Sequence, residues 1–511
     1  MKAGHLGLAL ILACWAVPQA GAQVLFPPPE PVYVVEITAP DAEGLAALVD
    51  RGFDVSNVRG LTATVYADGM EYAELAGYGW PVRYLETQPG AEKLVNNYRS
   101  NPEIEALFTQ YAAAYPNLCR VSQVGTSVQG RPLWVIKLTS NPDIAADKPA
   151  VRYIATIHGD EPIGTEMCLK FTAKLLTQYG SNARVTSLLD NTVVWIMPLM
   201  NPDGMELKTR RNYQSKDLNR EFPVYGIDFT GTIMDGEPLG DTGRPPEVAA
   251  VMRWCASDTF VLSANFHAGA VVANYPYDNE PGIVTGEPAY SPDEELFQWI
   301  SLRYAMNNSA MRNSTEFSQG ITNGSAWYSL AGGMMDWNYR YLGCMEVTME
   351  LSEIKWPYYL ALNGLWIENE EAMLAYLEGV HYGVRGLALN RVTGEPVRAR
   401  VLAEGNSQPV FSSPVVGNYH RILLPGTYNL SWSAPDYVTY HVDGVEVTGG
   451  AAVREDVYLS DGDLNGDRAA DGADVRLAVD ALLGRNGTVD ADVDGRGLAA
   501  TDLQALVNLT G

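Results

Sequence analysis

The stretch IHGDEPIGTE at residues 157–166 places His158, Asp160 and Glu161 directly after the apolar run VRYIATI. A second histidine, His267, follows another apolar run, TFVLSANF. Both runs are typical of buried strands, and ligands of open parallel sheets bind beyond the carboxyl ends of the strands. Two imidazoles and one carboxylate form a catalytic zinc set that leaves a fourth position open for water. We therefore predict that His158, Glu161 and His267 bind one zinc ion.

The spacing H-x-x-E is loose, so a loop histidine beside a solvated acidic pair is the alternative for His158 and Glu161 taken alone. His267 at a second strand end favours the metal site, since these are the only two histidines between residues 98 and 380. The motif H-E-x-x-H is absent from the chain, which excludes the zinc peptidases that carry their ligands on one helix.

A zinc hydrolase also needs a general base and groups that bind the charges of the substrate. The strand-like run MEVTMELS places Glu346 and Glu350 on one face. Glu350, nearer the carboxyl end, is predicted to be the base, and Glu346 to be structural. The stretch KTRRNYQSKDLNREFP brings Arg210, Arg211 and Arg220 into one loop region. Guanidinium groups bind carboxylates, so this region can hold the free end of a peptide, and a solvated basic loop is the alternative.

The elements that must position these residues form a long block, residues 91–382. Helical patterns such as NPEIEALFTQYAAAYP alternate there with the buried-strand runs RYIATI, NTVVWIMPLM, TFVLSANF and MEVTMEL. This alternation predicts an α/β fold, with a mixed, largely parallel sheet covered by helices on both faces.

Four segments flank this block. Residues 1–22 have the pattern of a cleaved signal peptide, with one lysine, an apolar run and Ala-Gly-Ala at the end. Residues 23–90 are predicted to be a small α+β region. Residues 383–459 contain short strand patterns with Gly/Pro turns, which predict a β-sandwich. Residues 460–511 are rich in Asp, Asn and Gly, contain two similar halves, and predict a small helical domain with calcium-type loops.

The formal net charge of −26, with no basic block to offset it, argues against a nucleic-acid partner. No apolar run reaches about 18 residues, so no membrane span is predicted. Together with the signal pattern, this predicts a protein that is secreted or attached to the cell surface. Four cysteines follow the signal segment, and the sequence does not distinguish disulfides from free buried thiols.

Seven motifs occur in the order found in the zinc metallocarboxypeptidases, and the sequence resembles that family: HGDE, NPDG, RRN, DLNREFP, SANFHAGAVVANYPYD, ITNGSAWYSLAGGMMDWNY and VTMELS. The likeness is greater to the branch that contains carboxypeptidases D, E, M and N. The segment after His381 resembles the transthyretin-like domain that follows the catalytic domain in that branch. Residues 23–90 resemble a bacterial carboxypeptidase prosegment, and a folded module that is not removed is the alternative.

The resemblance implies a role for each matching residue around the metal. His158, Glu161 and His267 would hold zinc, and Glu350 would take a proton from the zinc-bound water. Asp217 would accept a hydrogen bond from the second ring nitrogen of His158.

The resemblance also implies how the substrate is held. Arg211, the arginine before Asn212, would stabilise the oxyanion of the tetrahedral intermediate. Asn219 and Arg220 would bind the terminal carboxylate, and Tyr328 would close over the last residue.

Two positions bear on which terminal residue is removed. Members specific for basic residues carry an acid after YPF and a glutamine after GGM. Here Asp278 follows YPY, which favours Lys or Arg, whereas Met335 follows GGM and offers an apolar thioether. The sequence therefore predicts a basic or broad preference.

The stretch DLNGDRAADGAD has oxygen-bearing side chains in the order of an EF-hand-type calcium loop. These residues are Asp463, Asn465, Asp467, Asp471 and Asp474. The segment resembles a dockerin domain, which implies calcium binding and a cohesin-like partner. In the second half, Asp492, Asp494 and Asp502 are present, but the loop is one residue short and contains Arg496, which leaves its calcium binding doubtful. A disordered acidic tail is the alternative.

The sequence thus predicts a secreted zinc carboxypeptidase that removes single C-terminal residues from peptides. One alternative is a zinc hydrolase of the same fold that acts on cell-wall peptides or N-acyl compounds. The carboxylate anchor Arg220 argues against it. Another alternative is a non-catalytic binding module, which the complete set of site residues disfavours.

Overall fold

The structure of the protein is a computed structural model that describes residues 32–88 and 98–510, apart from residues 52, 68, 468 and 486–488. The predicted signal peptide lies outside the described residues. Within the described part of the chain, no helix is both long and apolar enough to cross a membrane. The description below follows the chain through four units, the second of which carries the predicted zinc ligands.

The N-terminal unit is an antiparallel sheet of four strands with two helices. In chain order, its elements are β1 Val32–Thr38, α1 Ala42–Asp50, β2 Asp54–Arg59, β3 Thr62–Ala67, α2 Gly69–Gly77 and β4 Val82–Gln88. The strand order is β2-β3-β1-β4. Alternation along β1 and β3 places Val35, Ile37 and Val65 in one core with Leu48 of α1 and Leu75 of α2.

The second unit is built on a sheet of eight strands. They are β5 Cys119–Thr126, β6 Pro132–Leu138, β7 Ala150–Ala155, β8 Val193–Met197, β9 Phe260–His267, β10 Ala270–Tyr275, β11 Ile321–Asn323 and β12 Met345–Ser352. The order is β11-β10-β12-β9-β7-β8-β6-β5. The central strands β12, β9, β7 and β8 pair in parallel, so their carboxyl ends share one edge. β5, β6 and β10 make antiparallel pairs, which makes the sheet mixed.

Helices pack on both faces of this sheet. They are α3 Asn101–Ala114, α4 Ile163–Gln178, α5 Ala183–Asn191, α6 Pro202–Leu207, α7 Pro246–Ala256, α8 Glu294–Ala305, α9 Ser309–Arg312, α10 Gly324–Trp327, α11 Met334–Leu342 and α12 Leu362–Glu378. One core contains side chains of α3, α4, α8 and α12, and a second core contains side chains of α7 and α11. The predicted fold class, a mixed and largely parallel sheet between two layers of helices, is confirmed.

The third unit consists of two small sheets packed face to face. Its strands are β13 Val384–Asn390, β14 Arg400–Ala403, β15 Val410–Phe411, β16 Asn418–Arg421, β17 Gly426–Ser433, β18 Tyr440–Val447, β19 Val453–Arg454 and β20 Val457–Leu459. One sheet has the order β16-β13-β19, with β20 also paired to β13, and the other has the order β15-β14-β17-β18. Trp432 and Tyr419 pack edge to face in the core between the sheets.

The fourth unit contains two helices, α13 Gly472–Leu482 and α14 Ala500–Thr510, each preceded by an acidic loop. A small core joins the two halves and includes Ala478, Val493 and Leu506, with Val438 of the third unit packed against it. The backbone N–H of His441 on β18 donates to the carbonyl of Asp494, so this unit lies directly against the β-sandwich.

Candidate active site

The two histidines and the glutamate predicted to bind zinc come together at the shared carboxyl edge of the central strands. β7 and β9 are parallel neighbours with Ala155 opposite Phe266, so the loop after β7 and the end of β9 meet. His158 Nδ1 lies 3.0 Å from Glu161 Oε1, and His267 Nδ1 lies 3.0 Å from Glu161 Oε2. The two Nδ1 atoms are 3.1 Å apart, and all three side chains are buried.

The loop that carries His158 and Glu161 depends on a glycine. A Cβ atom at Gly159 would lie 2.0 Å from the backbone of Gly204, so no larger residue fits between the two ligands without moving the chain. The backbone N–H of Glu161 donates to the carbonyl of His158 at 3.2 Å, which closes the turn and directs both side chains inward.

The ligand set fits a zinc ion. In a tetrahedral site with zinc–ligand bonds of about 2.1 Å, neighbouring ligand atoms lie about 3.4 Å apart, close to the separations found here. These three residues form a group whose ligand atoms all lie within 4.8 Å of one another. Burial lowers the pKa of His267 to about 4, so its imidazole is neutral at pH 7, as a metal ligand requires.

The outer contacts of His158 also suit a metal ligand. Its Nε2 lies 3.2 Å from Asp217 Oδ1, and Asp217 Oδ2 accepts from Arg210 Nε at 2.9 Å. A hydrogen bond from the second ring nitrogen to a carboxylate orients a metal-bound imidazole. The structure therefore places Asp217 where the sequence resemblance put it. His267 differs, because its Nε2 is buried and has no hydrogen-bond partner among the described residues.

Glu350 stands beside this ligand set on β12. It lies opposite His267 in the parallel register of β12 and β9. Burial, together with the charge of Glu161, raises the pKa of Glu350 well above its usual range. Its Oε2 is buried and has no hydrogen-bond partner among the described residues. A buried carboxylate oxygen with unused capacity to accept a hydrogen bond is therefore placed beside the three ligands.

Glu346, four residues earlier on the same strand, has a different environment. Its carboxylate accepts hydrogen bonds from Ser263, Asn265 and Asn338 at 2.6–2.9 Å and lies 3.4 Å from Arg152. Both carboxylate oxygens therefore accept hydrogen bonds inside the core, which agrees with a structural role for Glu346, whereas Glu350 lines the cavity.

The arginine beside the ligands is Arg210, whereas the sequence resemblance pointed to Arg211. Consecutive side chains diverge where the chain turns after α6, so only one member of the pair can face the cavity. Arg210 Nη1 lies 3.1 Å from His158 Nδ1 and 3.4 Å from Glu161 Oε1. Arg211 Nη1 donates instead to the carbonyl of Ser215 at 3.1 Å. Because the two arginines are adjacent in TRRN and chemically identical, the sequence does not show which of them faces the cavity.

Asn219 and Arg220 lie on a short 3-10 turn, Leu218–Arg220, that Asp217 caps by accepting from the Asn219 backbone N–H at 3.0 Å. The Asn219 side-chain oxygen accepts from the Met334 N–H at 3.0 Å and so joins this turn to α11. Arg220 lines the same cavity as His158, Glu161 and Glu350, and its buried Nε has no partner among the described residues. Its guanidinium therefore has capacity to bind a carboxylate.

Asp278 lines the same cavity, whereas Met335 does not line it directly. Asp278 Oδ1 accepts from Asn274 at 3.0 Å, and burial, together with the charge of Asp336, raises the pKa of Asp278 well above its usual range. Met335 lies behind Thr348, whose hydroxyl contacts its sulfur at 3.7 Å. Tyr328 lines the cavity from α10 and packs edge to face against Trp327.

Two charged residues of this cavity were not found by sequence reasoning. Asp54 of the N-terminal unit lies 3.1 Å from Arg210 Nη1 and forms an ion pair with Lys355. Lys355 is buried in the segment after β12, with its Nζ 3.1 Å from Glu161 Oε1. Lys355 comes shortly after the strand that carries the predicted base, but no sequence pattern predicts the direction of its side chain. Nothing in the sequence around Asp54 indicates that this residue reaches the cavity.

The fourth unit contains the two acidic loops that the sequence relates to calcium binding. Asp474 Oδ1 accepts from the N–H groups of Leu464 and Asn465, and Asp502 Oδ1 accepts in the same way from Val493 and Asp494. The two halves therefore fold alike despite the shorter second loop. Ligand atoms of Asp492, Asp494 and Asp502 lie within 4.8 Å of one another. Calcium binding by either loop stays a prediction.

A buried two-histidine, one-carboxylate set at the edge of a mixed α/β sheet, with a free carboxylate beside it, defines a zinc hydrolase. Residues 104–374 match the zinc carboxypeptidase family, and the chain belongs to that family.

All four cysteines of the described part, Cys119, Cys168, Cys255 and Cys344, are buried and unpaired.

Curated relatives support this assignment. The chain is 36% identical to mouse (Mus musculus) carboxypeptidase D over 71% of its length, but that match spans only 27% of the longer mouse protein. It is 34% identical to mouse carboxypeptidase M, over 67% of this chain and 79% of the relative. It is 37% identical to the human (Homo sapiens) carboxypeptidase N catalytic chain, over 63% of this chain and 77% of the relative.

Solved structures agree on the fold. Carboxypeptidase A from Helicoverpa armigera superposes with a TM-score of 0.54 at 17% identity, over 68% of this chain and 97% of that chain. Thrombin-activatable fibrinolysis inhibitor superposes with a TM-score of 0.50 at 20% identity, over 68% and 98%.

Proposed function

We propose that this chain is an exported metallocarboxypeptidase that removes one residue at a time from the carboxyl end of peptides. The observation that carries the proposal is that the three zinc-binding side chains, Glu350 and Arg220 line one cavity. Such a cavity combines a metal site, a base and an anchor for a terminal carboxylate. The apolar N-terminal segment with its small-residue end supports export.

The reaction would use the side chains of the cavity in distinct ways. Zinc, when bound, would polarise the scissile carbonyl and activate a water molecule. Glu350 would accept the proton of that water and pass it to the leaving amine. The Arg210 guanidinium would stabilise the negative charge that develops on the carbonyl oxygen.

The anchor explains why only the last residue would be removed. Asn219 and Arg220 would hold the terminal carboxylate through charge-assisted hydrogen bonds. The carbonyl carbon next to that residue then lies at Glu350 and the ligand set, while more distant peptide bonds do not. Tyr328, which lines the cavity beside Arg220, would cover the bound residue.

A pair of peptides identical except for a free or amidated carboxyl end tests the proposal. The free peptide should lose its last residue, the amidated peptide should not, and a chelator should stop the reaction. Equal cleavage of both peptides would favour a hydrolase of cell-wall peptides or N-acyl compounds. A purified protein without zinc and without hydrolysis would favour a binding module.

The preference for the terminal residue is proposed to be basic or broad. Asp278 supports a basic preference, because a buried carboxylate next to Asp336 is stabilised by a cation. Met335, which lies behind Thr348, supports a broad preference, because its apolar side chain adds no polar group that would disfavour an apolar terminal residue. Peptides that end in Lys, Arg, Phe, Leu and Asp distinguish the two.

The N-terminal unit, residues 23–90, is proposed to be a prosegment rather than a retained module. Asp54 and Val55 line the active-site cavity, and Tyr66 donates to the Glu353 carbonyl at 3.1 Å. A unit in this position restricts access to the ligands. An engineered protease site between residues 88 and 98 should raise the rate of peptide hydrolysis after cleavage, and an unchanged rate would favour a retained module.

The two C-terminal units are proposed to be a transthyretin-like domain, residues 383–459, and a dockerin-like domain, residues 460–511. The two packed four-stranded sheets of the former and the two loop–helix halves of the latter support this. We infer that the first loop binds calcium and that the domain attaches the enzyme to a cohesin-like partner. Calorimetry with calcium tests the first point, with Asp474→Asn as the variant that should lose binding. Pull-down with a cohesin module, with and without calcium, tests the second.

A further inference from the structure

Asp54 of the N-terminal unit lies between two cations of the catalytic domain. Its Oδ1 is 3.1 Å from Arg210 Nη1, and its Oδ2 forms an ion pair with Lys355 Nζ. The side chain of Asp54 is 10% exposed, that of Lys355 is 5% exposed and that of Arg210 is 11% exposed. One carboxylate therefore bridges two nearly buried cations with one oxygen on each.

Lys355 depends on this carboxylate more than Arg210 does, because Arg210 also pairs with Asp217 at 2.9 Å. Lys355 also approaches Glu161 Oε1 at 3.1 Å and Asp160 Oδ2 at 3.8 Å. If Glu161 shares its charge with a metal ion, it compensates Lys355 less, and Asp54 becomes the main counter-charge. Removing one partner from a buried ion pair is strongly destabilising. If Asp54 moves away, Lys355 therefore favours another carboxylate in its place.

The position of Lys355 along a bound peptide follows from the proposed function. The terminal carboxylate would lie on Arg220, and the last side chain would point toward Asp278. The scissile carbonyl would lie at Glu350 and the ligand set. The peptide must then continue away from Arg220 and past the ligand set, and Lys355 lines the same cavity 3.1 Å from the ligand Glu161.

We propose that Lys355 forms a subsite for an acidic side chain on the penultimate residue of the substrate, the place that Asp54 takes in the intact chain. This rests on the proposed carboxypeptidase function, since it uses Arg220 to fix the direction of the peptide. Lys355 would bind a Glu or Asp carboxylate as it binds Asp54, and Arg210 would remain on the carbonyl oxygen of the reacting bond.

The test compares two peptides that end in Glu-Lys and Gln-Lys, and a matched pair that ends in Glu-Leu and Gln-Leu. Glutamate and glutamine have nearly the same shape, so the ratio of their kcat/KM values reports the charge alone. The enzyme is the full chain with Asp54→Asn, cut at an engineered protease site between residues 88 and 98. We expect the Glu peptides to be favoured about tenfold in both pairs.

Two variants of the same position assign the effect to Lys355. Lys355→Met keeps most of the length of the side chain without its charge and should bring the ratio close to one. Lys355→Arg keeps the charge and should keep the preference. Because each ratio is measured within one enzyme preparation, a change in zinc content cancels.

The outcomes separate this inference from the proposed function. Hydrolysis at equal rates for Glu and Gln peptides, or a preference that survives Lys355→Met, would overturn the subsite while leaving the carboxypeptidase function intact. If no peptide is hydrolysed, calorimetric binding of the same peptides to the Glu350→Gln variant decides the matter. Tighter binding of the Glu peptides supports the subsite, and equal binding rejects it.

Discussion

His158 Nδ1 and His267 Nδ1 lie 3.1 Å apart, although 109 residues separate them in the chain. The parallel pairing of β7 with β9 produces this contact, because it places the loop after one strand beside the end of the other. Each ring turns the same nitrogen toward the carboxylate of Glu161. A metal site of this kind needs both histidines, since zinc affinity is set by the number of ligands as well as by their type.

Replacing His267 with alanine is therefore expected to remove zinc. Purified wild-type protein should contain about one equivalent of zinc. The His267→Ala variant should contain almost none after dialysis, as measured by mass spectrometry of the metal. His381→Gln is the matched control, because His381 contacts Thr192 away from the cavity and should retain zinc. Full zinc content in His267→Ala would show that this histidine is not a ligand.

The two glutamates on β12 should respond differently to the same substitution. Glu350→Gln should keep zinc and lower kcat for peptide hydrolysis by about a thousandfold or more, because it removes the proton acceptor. Glu346→Gln should leave zinc in place but lower stability by about 3 kcal/mol, because buried Arg152 loses its charged partner. Hydrolysis, zinc content and thermal unfolding measured on both variants check this. Similar activity in Glu350→Gln and the wild type would exclude Glu350 as the base.

The residues that the sequence could identify are those fixed by local pattern. His158, Glu161 and His267 follow strand-like runs, and the rule that ligands bind at the carboxyl ends of parallel strands was enough to bring them together. The choice of Glu350 over Glu346 follows from its position nearer to that edge, because alternation along the strand places both residues on one face. Secondary structure and sheet polarity thus carry most of the information about the metal ligands.

The residues that the sequence could not identify depend on loop conformation or on contacts between units. Arg210 and Arg211 are adjacent and chemically identical, and only the path of the loop between α6 and Asp217 decides which one faces His158. Asp54 reaches the cavity because the N-terminal unit docks on the catalytic domain, and docking of one unit on another leaves no periodic signal in either segment. Lys355 lies in an irregular segment for which no pattern predicts a direction.

Asp278 should control the preference for basic terminal residues. Its carboxylate is buried and lies close to Asp336, so a positively charged side chain would relieve repulsion between the two acids. Asp278→Asn should lower the ratio of kcat/KM for Lys over Leu peptides by about ten- to a hundredfold. Met335→Gln is the companion variant and should raise the same ratio. Release of Lys and Leu at an unchanged ratio in Asp278→Asn would place the specificity elsewhere.

A buried ion pair joins the β-sandwich to the catalytic domain. Arg421 on β16 donates to both oxygens of Asp293, at 2.7 and 3.0 Å, and both side chains are almost inaccessible to solvent. Arg421→Met should destabilise the protein by about 3–5 kcal/mol, since it leaves the Asp293 charge buried and unpaired. The double variant Arg421→Met, Asp293→Asn should recover part of the loss. Thermal and denaturant unfolding of the three proteins measure both effects, and equal stability of Arg421→Met and the wild type would contradict the prediction.

His420 on β16 should make the protein less stable in mild acid. Burial, with the nearby cation of Arg385, lowers the pKa of His420 from an ordinary value of 6.5 to about 3. The unfolded chain therefore binds a proton at this residue below about pH 6.5, and the folded chain does not until about pH 3. The contribution of neutral His420 to the free energy of unfolding is fully present above about pH 6.5. It decreases as the pH falls toward about 3, by about 1.4 kcal/mol for each pH unit. The free energy of unfolding, measured by denaturant titration between pH 7 and pH 5, should fall less steeply in His420→Gln than in the wild type. Parallel pH profiles for the two proteins would show that His420 titrates alike in the folded and unfolded chains.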